Sequence, residues 1–101
     1  MKQIEATIKP SKFTEVKEEL MNLGVDEITV TEVKGFGRQG YTEMYHGAQY
    51  SIDFLPEIKI QILAPDDKAP KLVEAIANNA GGEKPGYGKI FITAVEEIIR
   101  I

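Results

Sequence analysis

The residues of this 101-residue chain that could do chemistry are few, and most are cations set beside glycines. The first group is Gly35-Phe36-Gly37-Arg38-Gln39-Gly40. Glycine lets backbone N–H groups come close to a ligand, and arginine offers a rigid two-pronged donor for phosphate or carboxylate. The second group runs from Gly81 to Lys89 and carries two lysines, Lys84 and Lys89, among four glycines. It is not a Walker-type phosphate loop, because it leads from a helix into a strand and Lys89 is followed by Ile90. It reads either as an anion-binding nest or as a turn with two solvated lysines. Arg100, set among isoleucines, is a third source of positive charge, or else a surface arginine lying along an apolar patch.

Nucleophiles are scarce. The chain has no cysteine and one histidine, His46. No nucleophile–base pair suggests itself, so the chain reads as a binding protein and not an enzyme. One histidine cannot build a histidine-rich metal site. A net charge of -4 and a pI of about 5.0 argue against nucleic acid as a partner. No apolar run approaches the ~20 residues that span a bilayer, so no membrane insertion is expected and the cytoplasm is the expected location.

Several elements must position these groups. Ile4, Ala6 and Ile8 alternate with polar residues, which predicts a half-buried strand. Ser11 is a candidate cap for a helix carrying Phe13, Val16, Leu20 and Leu23 at helical spacing, closed by Gly24. Ile28–Lys34 is rich in β-branched residues and predicts a second strand. Ile58, Ile60 and Ile62 give a third. Ala64-Pro65-Asp66-Asp67 predicts a strand exit and a helix cap, followed by a helix with Pro70 in its first turn and Leu72, Val73, Ile76 and Ala77 on its apolar stripe. Ile90–Val95 forms a fourth strand, apolar on both sides. The order β-α-β-β-α-β predicts a single α+β domain, residues 1–101, of ferredoxin-like topology, with both helices on one face of a four-stranded antiparallel sheet. The two-sided apolar fourth strand predicts oligomerisation.

Between the second and third strands lies "GFGRQGYTEMYHGAQYSIDFLP", Gly35 to Pro56. Antiparallel neighbours usually need two to five linking residues. This connection carries Phe36, Tyr41, Tyr45, Tyr50 and Phe54, more aromatic than a disordered tip. It is expected to contact something.

Taken together, "TVTEVKGFGRQG", "HGAQYSIDFLP", "APDD" and "GYGKIF" resemble the PII signal-transduction family, over nearly the whole chain and in order. The resemblance implies a homotrimer of ferredoxin-like subunits with adenine-nucleotide sites (ADP, AMP or ATP) in the clefts between neighbours. It implies a T-loop at about 36–55, a B-loop at about 81–88 and a short C-terminal segment at 96–101. It implies that Gly35, Gly37, Arg38 and Gln39 approach the phosphates, with Gln39 able to ligate Mg²⁺ when ATP is bound. Thr29, Ile62, Leu63 and Ala64 correspond to the adenine and ribose contacts. Lys84, Gly86, Tyr87, Gly88 and Lys89 correspond to the B-loop phosphate contacts, and Arg100 to a C-loop arginine reaching in from the neighbouring subunit. Tyr50 corresponds to a tyrosine that is nucleotidylated in many bacterial members.

The departures are specific. Glu57 stands where the family has a lysine for 2-oxoglutarate, and Pro85 removes a backbone N–H there. A carboxylate beside a dianion is repulsive, so 2-oxoglutarate binding is expected to be weakened or lost. No counterpart of a second C-loop arginine follows Arg100, so ADP or AMP is expected to bind at least as well as ATP. The leading expectation is therefore a divergent PII-like sensor of adenine nucleotides whose T-loop controls a membrane transporter or a metabolic enzyme. Three alternatives stand beside it: a carboxysome- or inorganic-carbon-linked sensor taking bicarbonate or another small anion, a standard nitrogen-regulatory PII protein, and a phosphatase-type enzyme. An RNA-binding module of the same topology would need more strand aromatics than Phe91.

Overall fold

Strand β1, Lys2–Ile8, buries Ile4, Ala6 and Ile8 and leaves Gln3, Glu5 and Thr7 half-buried. This alternation is the one its sequence predicts. The computed structural model describes the backbone of residues 1–45, 48–81 and 88–101, and the side chains of residues 1–35, 55–81 and 88–101.

Pro10–Lys12 forms a 3-10 turn, closed by Lys12 N–H donating to the Lys9 carbonyl at 3.0 Å, and α1 follows over Phe13–Asn22. Ser11 therefore does not cap the helix. It lies inside the preceding turn, which Pro10 starts with its fixed φ, and Lys12 occupies the cap position with no side-chain bond. Val16 and Leu20 are buried, with Phe13 and Leu23 packed beside them. The end of α1 has two locking bonds: Val25 N–H to the Leu20 carbonyl and Gly24 N–H to the Met21 carbonyl, both 3.0 Å. That is a Schellman pair, and it places Gly24 at φ 92°, where a side chain is strained.

Strands β2, Thr29–Tyr45, and β3, Ala48–Ala64, are far longer than their sequence expectation. The polar insert continues the hairpin as a two-stranded ribbon, as its aromatic and β-branched residues favour. Pairing runs to Phe36↔Phe54, breaks register, and resumes from Tyr41↔Ile52 to Tyr45↔Ala48. At the break residues 37–40 face only Asp53, so the irregularity falls on Gly37-Arg38-Gln39-Gly40.

After β3, Lys68 N–H and Ala69 N–H turn back to the Pro65 carbonyl, and α2 spans Ala69–Ala80 with Pro70 in its first turn. Neither Asp66 nor Asp67 caps it, and Lys68 holds the cap position. Asp66 instead accepts from the Met1 ammonium at 2.6 Å, and this contact holds its carboxyl below the usual range. Ala69, Leu72, Ala75 and Ile76 are the buried residues of α2. Ala77, expected on the apolar stripe, is exposed, and Ala75 takes that place. Strand β4 covers Lys89–Ala94.

The sheet order is β2-β3-β1-β4 with every neighbour antiparallel, the α+β ferredoxin-like arrangement. Ile4, Ala6 and Ile8 meet Ile60 and Ile62, and Val16, Leu20, Leu72 and Ile76 close over them as one core. Both helices therefore cover one face. On edge strand β4, Phe91 and Ile92 are each 53% exposed, on opposite faces, and Ile99 beyond it is 77% exposed.

Leu20→Ala is expected to cost about 2–5 kcal/mol in denaturant unfolding, because its side chain is fully enclosed. Its neighbour Met21 is 56% exposed, and Met21→Ala is expected to stay within about 0.5 kcal/mol of the parent.

Candidate functional site

A cavity of about 510 Å³ opens at one end of the sheet. That lies within the roughly 300–1,000 Å³ typical of small-molecule sites. Its floor is apolar: Leu23 from the end of α1, Ile62 from β3 and Leu72 from α2. The Schellman turn makes one wall, bringing Gly24, Val25, Asp26 and Glu27 to the rim. Thr29, Gln61 and Gln3 supply neutral polar groups, and Lys68 and Arg100 supply positive charge. Hydroxyl, amide, carboxylate and cationic groups thus stand at the edge of an apolar floor.

Four of the residues singled out in the sequence meet in this cavity: Thr29, Ile62, Leu63 and Arg100. Ala64 does not line it. Its side chain is fully buried in the core cluster. Gly35 lies six residues beyond Thr29 on the same strand, about 20 Å away at the usual strand rise. Lys89 is exposed at the start of β4, opposite Thr7, and so about 13 Å along β1 from Gln3. Gly88, beside it, brings its Cα against the Thr7 carbonyl, which a Cβ would meet at 3.2 Å. The side chains of Arg38, Gln39 and Tyr50, and residues Lys84, Gly86 and Tyr87, lie outside the described residues. Gly37 is described by its backbone alone, in the register break of the ribbon. One chain therefore carries its candidate groups at two opposite ends of the sheet.

Glu57 sits at the second end. A Cβ built on Gly35 would lie 2.7 Å from Glu57 Oε1 and 3.0 Å from Oε2, so the carboxylate lies directly against the Gly35 backbone. Sequence reasoning missed Gln61, Gln3 and Lys68. The period-two pattern places Gln61 and Gln3 on the face away from the core, but it does not show that a turn folds over to make a cavity there.

A family model described as "Nitrogen regulatory protein P-II" matches residues 1–101. The chain belongs to the nitrogen regulatory protein P-II family. It is 55% identical over 102 aligned positions to the Nitrogen regulatory protein P-II of Rhizobium meliloti, covering 100% of this chain and 91% of that protein. The corresponding proteins of Azospirillum brasilense and Cereibacter sphaeroides are 54% and 56% identical with the same coverage. P-II proteins are regulatory signal transducers. Relatives this similar, all carrying the nitrogen-regulatory name, favour a standard P-II protein over the divergent or inorganic-carbon-linked sensor expected from Glu57 and Pro85.

The Glu57 contact makes its own test. Gly35→Ala is expected to cost stability in the parent chain and less in a Glu57→Ala background, because only the first has a side chain to displace. A double-mutant cycle by thermal unfolding reads that coupling.

Proposed function

We propose that this chain is a nitrogen-status regulator of the standard P-II kind. It binds an adenine nucleotide between protomers of a homotrimer and signals to a protein target through the β2–β3 ribbon. One observation carries the reading. The nucleoside-sized cavity with Arg100 lies at one end of the sheet, while Gly35, Gly88 and Lys89 lie at the other. A single phosphate-bearing ligand touching both groups needs two chains set end to end around a ring. The exposed Phe91, Ile92 and Ile99 give such chains apolar surface to bury.

In this arrangement one protomer encloses the base and ribose with Thr29, Ile62 and Leu63 and offers Arg100 to the phosphates. The adjoining protomer brings Gly35, Gly37, Arg38 and Gln39 from the ribbon base, with Lys84, Gly86, Tyr87, Gly88 and Lys89. The register break at residues 37–40 then sits where the phosphates approach, so occupancy of the site bears on how the rest of the ribbon points.

Mixed trimers test the shared site. Each charge-assisted contact is worth roughly 1.5–3 kcal/mol, so Arg100→Ala and Lys89→Ala are each expected to weaken ATP binding about 10- to 100-fold in calorimetry. Co-assembled one to one, the two variants are expected to regain about a quarter of the parent stoichiometry, because that fraction of random interfaces pairs two intact halves. A site contained within one chain would regain none.

A second reading concerns the effector 2-oxoglutarate. The Glu57 carboxylate against Gly35 supports a site whose affinity for a dicarboxylate is lowered by like charge. Glu57→Lys is expected to tighten 2-oxoglutarate binding at least about tenfold with nucleotide present, for which an unscreened charge reversal is ample. Equal affinities would show that Glu57 turns away from the ligand.

A further inference from the structure

Opposite charges stand around the cavity without meeting. Lys68 and Arg100 line it, and so do Asp26 and Glu27. Among the described residues none of these four forms an ion pair. Asp26 and Glu27 come from the turn that ends α1, and Lys68 comes from the turn that starts α2.

Local structure does not account for Lys68. It holds the cap position of α2 with no side-chain bond to the helix. A cation there is disfavoured, because the free N–H groups of the first turn make that end of a helix positive. The carboxylate two residues before it, Asp66, is taken by the Met1 ammonium at 2.6 Å. Lys68 thus neither supports its own helix nor is neutralised by its own turn.

We infer that Lys68 is a specificity-determining residue of the cavity. Its ammonium binds the anionic tail of the ligand, from the same protomer as Arg100. The charges around the cavity set the direction of that tail. Phosphate is repelled by Asp26 and Glu27 and attracted by Lys68 and Arg100, so it is drawn away from the α1 turn and toward the start of α2. Lysine serves phosphate as a point charge, without the two-pronged geometry of arginine. Lys68 therefore reads the charge of the ligand and not its shape, and it favours phosphorylated ligands over the bare nucleoside.

The inference rests on the nucleotide reading above, and its test separates the two. ATP and AMP are titrated by calorimetry into the parent, Lys68→Met and Lys68→Arg proteins, and adenosine is read by its displacement of ATP. Lys68→Met keeps most of the apolar stem and removes the charge. It is expected to weaken ATP binding about five- to tenfold, the low end for a charge-assisted contact because the side chain is exposed. Its ATP affinity is also expected to depend less on salt than that of the parent. Adenosine, which carries no charge for Lys68 to read, is expected to change less than about twofold. Lys68→Arg keeps the charge and is expected to stay within about threefold of the parent for ATP. A merely structural role for Lys68 would weaken ATP and adenosine alike. Unchanged ATP binding in Lys68→Met, or equal losses for ATP and adenosine, overturns this inference and leaves the nucleotide reading standing. Lys68→Arg as weak as Lys68→Met overturns it too, because charge is then not what the site reads. Failure of the parent to bind ATP or AMP overturns both.

Discussion

The pairing register of β1 constrains almost everything else. Ile4 stands between Ile62 on β3 and Ile92 on β4, and Ala6 between Ile60 and Ile90. A slip of one residue would drive Glu5 into the core and lift Ile4 out of it. The same register aligns Thr29, Gln61 and Glu5 in a row on the opposite face. The core and the polar wall of the cavity thus follow from one alignment. Hydrophobic burial of Ile4, Ile60 and Ile62 beneath Leu20 and Ile76 fixes where the polar wall of the cavity stands.

The elements that the sequence showed clearly are those whose apolar residues repeat. Alternation at Ile4-Ala6-Ile8 and Ile58-Ile60-Ile62 gave the two central strands, and the spacing of Val16 and Leu20 gave α1. Gly24 was readable as a helix stop because only a residue free of Cβ strain sits easily at φ 92°. Caps were less legible. Ser11 and Asp66 have the right chemistry, but Pro10 and Pro65 impose turns of their own that move the helix starts onward. The stripe of α2 drifted from Ala77 to Ala75, since spacing alone leaves its angle to the sheet undetermined. In the ribbon, polar residues hide the strand signal of the tyrosines, so that its pairing is not legible in the sequence.

The candidate site was legible in part, and for a physical reason. Thr29, Ile62, Leu63 and Arg100 were reached through family resemblance, and the fold brings those four to one cavity. Gln61 and Gln3 look like ordinary solvent-facing residues of half-buried strands. Their place in the cavity lining depends on cross-strand pairing and on the Schellman turn folding over them, neither of which a local pattern encodes. Ala64 shows the reverse case. It is adjacent in sequence to the cavity residue Leu63 but points into the core, because neighbouring residues of a strand face opposite sides.

The ladder joining β1 to β4 also has a bearing on biosynthesis. Lys2 pairs with Ala94, so this strand completes its bonding only with residues made long after it. At roughly 5–20 residues per second on the ribosome, Ile4 and Ile8 wait several seconds for β3 and longer for β4. Pairings of such long range close slowly. Until then the nascent segment has little but α1 to shield it, which makes cover by a chaperone most useful to this chain during synthesis, before the sheet is complete.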